Sequence, residues 1–273
     1  MNEEKNFEKS KDINFYDNYF NKSSYDVFRY DVGSFCTRKY VLKHIKHKSG
    51  TVLEIGVGLS SLLEDLQNFD CFGVDISPET IKQAQDIFSS KKLKANFSTA
   101  NAENLPFNDN TFDVIVSVHT LEHIEHDDIV IQECARVLKP GGELLFFVPG
   151  RVDGLATEEE WAKWGHYRMY NKDHFENLAS LANPVLILTD LKYPHKVHNL
   201  IWNKCKNVFR WVNYPVKKIF LRDNKTYELR PTYQNFFLPT VSGILDFCDS
   251  FVLKKQKNFC GVAFNVFARF EKL

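Results

Sequence analysis

Short apolar runs alternate with stretches of helical spacing through the middle of this chain. Thr51–Ile55 is a β-branched apolar run that ends in glycines, and Cys71–Asp75, Phe97–Thr99, Phe112–Val118 and Glu143–Val148 repeat the pattern. Between them, Ser60–Asn68, Pro78–Phe88 and Asp127–Leu138 place apolar residues at helical spacing. Ser77 precedes Pro78, an N-cap residue ahead of a proline in the first helical turn. Lys139-Pro-Gly-Gly142 reads as a helix stop before the next strand. Strand and helix alternating in this way predict βαβ units. The expected class is therefore α/β, a Rossmann-like parallel sheet with helices on both faces.

The flanks depart from that rhythm. Before the series, aromatics stand at irregular helical spacing (Tyr16, Tyr19, Phe20, Tyr25, Phe28, Tyr30), followed by a helix through Val41, Leu42 and Ile45. After Pro149 comes an insertion with Trp161, Trp164 and Tyr167. Lys172–Leu181 then reads as a helix capped by Asn171, Val185–Leu191 as a strand, Val241–Leu253 as a helix and Gly261–Phe270 as a last strand. The division expected is a helical cap over 1–49, a ligand-binding core over 50–150, and a region over 151–273. The last holds a lid insertion, a basic aromatic block and the strands that complete the sheet.

Composition narrows the setting. The 273 residues carry 35 basic and 35 acidic side chains, so no basic excess points to nucleic acid. The six cysteines form no Cys-x-x-Cys pair and several lie in apolar segments, which predicts reduced thiols rather than zinc ligands. No apolar h-region follows the first residues, and no apolar run reaches the ~20 residues that span a bilayer. A cytoplasmic protein is expected. Positive charge is concentrated locally, with ten Lys and Arg between Lys192 and Arg230 against Asp223 and Glu228, interleaved with Trp202, Phe209, Trp211, Tyr214 and Phe220. Three readings fit this block. It can be an amphipathic helix with a solvated face, an interfacial helix on anionic lipid through 195–222, or a pocket for a phosphorylated substrate.

The chemistry concentrates where the first strand ends. In an open parallel sheet, ligands bind beyond the carboxyl ends of the strands, where the strand order reverses. Val52-Leu-Glu-Ile-Gly-Val-Gly58 lies at that end, and Gly56 and Gly58 allow a tight turn and close approach of backbone to a ligand. Asp75 ends the second strand, where a carboxylate can accept both hydroxyls of a ribose. Two nucleosides compete for such a site. A dinucleotide asks for Gly-x-Gly-x-x-Gly, but Ser61 holds the third position. S-adenosylmethionine (SAM) has no phosphate, and its sulfonium and amino-acid end suit an acidic neighbour such as Glu54. The balance favours SAM.

Further segments follow in order: Asn101-Ala-Glu-Asn-Leu-Pro-Phe107, Asn108-Asp-Asn-Thr-Phe-Asp113, His119-Thr-Leu-Glu-His123 and Arg136-Val-Leu-Lys-Pro-Gly-Gly142. With the glycine motif, this order resembles the small-molecule class I methyltransferases that include the ubiquinone and menaquinone methylases, over residues 50–150. The resemblance implies a seven-stranded sheet whose last strand is an antiparallel insertion. It implies SAM as cofactor, with Asp75 on the ribose diol beside Ile76, and Asn101, Ala102 and Glu103 around the adenine. Asn101 stands where the family usually has Asp, which keeps the acceptor and loses the charge. His119 joins the cofactor set.

Methyl transfer to a high-pKa oxygen or nitrogen calls for a base, and histidine is the first type to consider. His123 occupies a position where the family often has His. Trp161-Ala-Lys-Trp-Gly-His-Tyr-Arg-Met-Tyr170 is similar to a Gly-His-x-Arg-x-Tyr segment that covers the acceptor in several bacterial methyltransferases of surface-polysaccharide pathways. By that resemblance His166 is a second base candidate, Tyr170 positions the acceptor, and Arg168, with Tyr16, meets an anionic substrate. Some O-methyltransferases of related pattern bind a divalent metal through Glu-x-x-Glu-His. His119 replaces the first Glu here, and no metal is expected. The expected function is O-methylation of a small, polar, anionic acceptor such as a sugar or phosphoryl precursor of a surface glycan. The alternatives are an aromatic or lipid-like acceptor, a non-catalytic SAM-binding module and a nucleotide-sugar oxidoreductase.

Overall fold

The computed structural model describes residues 32–58, 62–150, 165–194, 243 and 265–273. Tyr16, Trp161, Trp164, the basic block from 195, the helix expected at 241–253 (Gly243 apart) and the bulk of the lid insertion lie outside the described residues.

A seven-stranded sheet organises what is described, in the order β3-β2-β1-β4-β5-β7-β6. The strands are β1 (Gly50–Ile55), β2 (Phe69–Asp75), β3 (Asn96–Thr99), β4 (Phe112–Val118), β5 (Leu138–Val148), β6 (Leu186–Lys192) and β7 (Val266–Lys272). The first five pair in parallel. β7 runs antiparallel to both β5 and β6. The Rossmann-like sheet with an antiparallel last strand thus stands as the sequence implies. β1 and β4 lie side by side with β2 and β5 outside them, so the order reverses between β1 and β4. A ligand crevice belongs there, at the carboxyl ends.

Alternation along the strands explains why both faces are covered. Leu53, Ile55, Ile115, Leu144 and Phe146 point to one face, where they pack with Val130, Ile131 and Cys134 of α3 (Asp127–Val137) and with Phe175 and Leu178 of α4 (Lys172–Leu181). Val52, Val114, Val116, Leu145 and Phe147 point to the other, against Val41 of α1 (Val32–His44), Ile45 beyond it, and Ile87 and Phe88 of α2 (Pro78–Ser90). With 0–2% exposure along these central strands, burial on both sides suits the near-continuous apolar runs of the sequence.

The two caps read from the sequence are present. The Ser77 side chain accepts from Thr80 N, and Asn171 from His174 N, at 3.1 and 2.9 Å. The helix expected over Ser60–Asn68 is instead, in its described part, one 3-10 turn, Leu62–Asp65. The chain has to turn back at once, and Phe69 N donates to Leu66 O at 2.9 Å as β2 begins. Glu143, 1% exposed at the start of β5, ties the α1–β1 connection to the sheet. Its Oε1 accepts from the backbone of Lys46 and His47 and from His47 Nδ1, all at 2.8–2.9 Å.

Candidate active site

Backbone geometry builds one half of the crevice. Gly56 and Gly58 have φ of +75° and +49°, in the left-handed region that favours glycine. Gly56 N and Val57 N both donate to Val74 O, at 2.8 and 3.2 Å, so the turn after β1 folds onto the end of β2. A Cβ at Gly56 would overlap the Thr120 side chain, so this turn packs directly on the loop after β4.

Asp75 is held at its rim. Oδ2 accepts from Gly58 N at 3.2 Å and Oδ1 from Ser77 N at 3.0 Å. A carboxylate offers about four lone-pair sites, and these two bonds fix its orientation at the strand end. Ile76 is half-buried beside it. Ala100 N donates to Asp75 O, bringing the next loop alongside. In that loop Asn101 Oδ1 accepts from Glu103 N at 3.0 Å, and Ala102 beside it is buried. Asn101 thus closes its own turn and keeps a second lone pair. Farther along, Arg136 holds the loop's continuation by donating to Leu105 O, Phe107 O and Asp109 Oδ1.

Glu54 is used differently from the sequence reading. It is 4% exposed, and its carboxylate accepts from Leu62 N at 3.0–3.1 Å and from Leu63 N at 3.4 Å. A charge within an apolar strand has to find donors, and here it caps the 3-10 turn. Both oxygens are thereby tied to the start of that turn.

Side chains build the other half. His119 follows β4 with φ +52°, uncommon outside glycine, and its N–H donates to Phe147 O at 2.8 Å. Its exposed ring stands over Phe147, with Nδ1 3.5 Å from Glu122 Oε1. Glu122 is 1% exposed, and its Oε2 has no hydrogen-bond partner among the described residues. His123 Nε2 lies 4.0 Å from Glu122 Oε1, and His123 Nδ1 donates to the Gly165 carbonyl at 3.0 Å. His166 meets the His123 ring edge to face, centroids 4.8 Å apart. Burial lowers the His166 pKa, Glu122 opposes that, and His123 and His119 push it further down. His123 and His166, distant in sequence, are thus brought together.

Arg168 and Tyr170 have other occupations. The guanidinium donates to Ile124 O at 2.9 Å and to Glu125 O, and it pairs with Asp127 Oδ2 at 3.0 Å. Tyr170 is fully buried, its hydroxyl shared between Leu121 O at 3.1 Å and Asp127 Oδ2 at 3.0 Å. Burial and the Asp127 charge push that phenol well above its usual value. Both side chains therefore fasten the segment to the loop after β4, whose carbonyls need donors.

The sequence reading missed Asp127 and His174. His174 Nε2 donates to Asp127 Oδ2 at 2.8 Å, so this one oxygen takes Arg168, Tyr170 and His174 together. The available signal was an acidic residue in the first turn of α3, which alone reads as a helix-dipole partner.

Comparison with known proteins fits this geometry. The family described as "Methyltransferase domain" matches residues 53–146, from β1 through most of β5. Residues 53–146 are thus similar to a methyltransferase domain. SAM is the cofactor of that family, and the fixed Asp75 carboxylate and the left-handed glycine turn suit a nucleoside without phosphates. Among curated relatives, the ubiquinone biosynthesis O-methyltransferase of Coxiella burnetii is 33% identical over 110 residues, 40% of this chain and 47% of that protein. The sterol 4-C-methyltransferase strm-1 of Caenorhabditis elegans is 29% identical over 133 residues, 47% of this chain and 36% of that protein. The chain spans less than half the length of these relatives. In fold, it is similar to the phosphoethanolamine N-methyltransferase 2 of Haemonchus contortus solved with phosphomonomethylethanolamine and S-adenosylhomocysteine, at TM-score 0.62 and 18% identity. That match covers 88% of this chain and 53% of the other. No described helix is long and apolar enough to cross a membrane.

Proposed function

We propose that the chain transfers the methyl group of SAM to a small-molecule acceptor bound under the segment 165–170. The observation that carries this reading is the Asp75 carboxylate, fixed through both oxygens at the end of β2 beside a glycine turn of positive φ. Asp75 would take the ribose diol, with Ile76 against the nucleoside. Asn101, Ala102 and Glu103 would border the adenine, Asn101 through its remaining lone pair. Gly56 and Gly58 would let the backbone meet the amino-acid end, with Glu54 supplying negative charge from below and His119 closing the side toward β4.

SAM supplies an electrophilic methyl on a sulfonium, so the protein's work is alignment and exclusion of water. The acceptor would lie against His123 and His166, whose rings form the polar wall nearest the loop after β4. Arg168, Tyr170 and Asp127 hold that wall in place. Oxygen is the acceptor atom favoured by the similarity to ubiquinone-type O-methyltransferases. A sugar or phosphoryl precursor of a surface glycan is the finer reading, and it rests on the Gly-His-x-Arg-x-Tyr likeness. With the Arg168 guanidinium occupied by Ile124, Glu125 and Asp127, a neutral hydroxyl compound is as well served as an anion. The described cysteines, Cys36, Cys71 and Cys134, are buried thiols, which suits a reducing compartment.

Incubation with SAM carrying a labelled methyl group and a panel of phenols, sugars, nucleotide sugars and amines tests the proposal. A labelled product together with S-adenosylhomocysteine is expected. SAM binding with no transfer across the panel would instead favour a binding module.

A further inference from the structure

The wall of imidazoles encloses a carboxylate with no visible work. Glu122 is 1% exposed, on the 3-10 turn Leu121–His123, and its Oε2 lacks a hydrogen-bond partner among the described residues. An ionised carboxylate left like this is costly, since desolvation is not repaid by donors. What surrounds it is a set of nitrogen donors to metals. Ligand atoms of Glu122, His123 and His166 all lie within 4.8 Å of one another. They come from two places in the chain, the loop after β4 and the segment that begins at Gly165.

The tautomer of His123 supports a ligand role. A carbonyl oxygen only accepts, so the contact of Nδ1 with Gly165 O fixes the proton on Nδ1. In the neutral ring Nε2 then carries the lone pair, and Nε2 lies 4.0 Å from Glu122 Oε1. A backbone carbonyl holding the far nitrogen is the usual support for a metal-bound imidazole. His119 approaches the same carboxylate through Nδ1 at 3.5 Å.

We propose that Glu122, His123 and His166 bind one divalent first-row metal ion, Zn2+ or a cation of similar preference, which joins segment 165–170 to the loop after β4. Two imidazoles and a carboxylate suit this class, whereas Mg2+ and Ca2+ favour oxygen donors. Bonds of about 2.1 Å place tetrahedral ligand atoms roughly 3.4 Å apart, so the side chains would close by up to about 1.4 Å from their present limit. A three-ligand set leaves a position open toward the acceptor wall. That last point rests on the methyltransferase reading, but the binding of the ion does not.

The test uses the full chain stripped with a chelator and titrated with Co2+, read by its visible absorption, with Zn2+ as competitor. One ion per chain is expected. Glu122→Gln, His123→Gln and His166→Gln should each weaken binding at least ~10-fold, with folding confirmed by circular dichroism. His126→Gln serves as the control, since His126 is exposed on the same loop and its side chain makes no cap hydrogen bond. Digestion by a protease should slow near residue 165 when Zn2+ is added to wild type, and not in His166→Gln. No uptake, or uptake that Glu122→Gln leaves intact or His126→Gln weakens equally, overturns the proposal. SAM titrated into the chelated chain reads the donor site alone, so a failure there is separable from a failure of the metal site.

Discussion

The two halves of the crevice are made in different ways. Around the glycine turn, proposed to take the methyl donor, Gly56, Val57, Gly58, Asp75 and Ala100 are linked mostly through main-chain hydrogen bonds between neighbouring strand ends. Around the loop after β4, proposed to face the acceptor, Glu122, His123, Asp127, His166, Arg168, Tyr170 and His174 meet through side chains whose partners stand some forty residues away. The first kind of site is dictated by local sequence and resists side-chain change outside a few positions. The second exists only once the segment after Gly165 has docked, so one substitution can loosen much of it. A cofactor shared by many enzymes suits the rigid half, and a variable acceptor suits the half that side chains rebuild.

The contrast can be broken at either end. The largest effect is expected from Asp75→Asn, which would weaken the two charge-assisted hydrogen bonds proposed to the ribose. SAM affinity should fall on the order of 100-fold by calorimetry, with thermal stability close to wild type. Next comes Asp127→Ala. It removes the acceptor shared by Arg168, Tyr170 and His174 and leaves a part-buried guanidinium and a buried phenol one partner short. Unfolding free energy from denaturant titration should drop by about 3 kcal/mol while SAM affinity changes little. A parallel loss of SAM affinity would mean that the halves are not independent.

A pH series sharpens the same point. Burial pushes the Asp127 pKa up, but the hydrogen bond from His174, the charges of Arg168 and His174 and the bond from Tyr170 outweigh it and hold it below the ordinary 3.8. A depressed carboxylate pKa contributes stability that is complete above the unfolded value and is lost as pH falls through the folded one. The wild-type advantage over Asp127→Ala should therefore be full at neutral pH and shrink below 3.8, in denaturant titrations run at successive pH values. An advantage that stayed constant into that acid range would show that the carboxylate charge is not what holds the segment.

The smallest effects are expected at the helix caps, one in each half. Ser77→Ala and Asn171→Ala each remove a bond to the third residue of a helix and should cost about 1 kcal/mol. Ser77 adjoins Asp75, so its loss should also weaken SAM binding slightly. Asn171→Ala should leave SAM binding alone and lower turnover with acceptor instead.

What the sequence disclosed follows the same division. Alternating apolar runs, Ser77 ahead of Pro78 and glycines after β1 are local signals, and sheet, caps and the glycine turn could be read from them. Glu54 was legible as an acid near the cofactor but not as a cap, because its partners Leu62 and Leu63 lie beyond a turn whose path no periodicity records. Tyr170 and Arg168 were noticed by pattern and given the wrong surroundings, since Asp127 and the carbonyls of 121–125 reach them only through the fold. Nothing along the chain marks Asp127 and His174 as partners. His123 and His166 were each visible, and their meeting over Glu122 was not.

The most direct measurement of the central claim is calorimetric titration of the full chain with SAM, S-adenosylhomocysteine and NAD, on wild type and Asp75→Asn. Stoichiometric binding of SAM and S-adenosylhomocysteine is expected, with roughly 100-fold loss in the variant and no NAD binding. Tight NAD binding without SAM binding, or SAM affinity untouched by Asp75→Asn, would contradict the account.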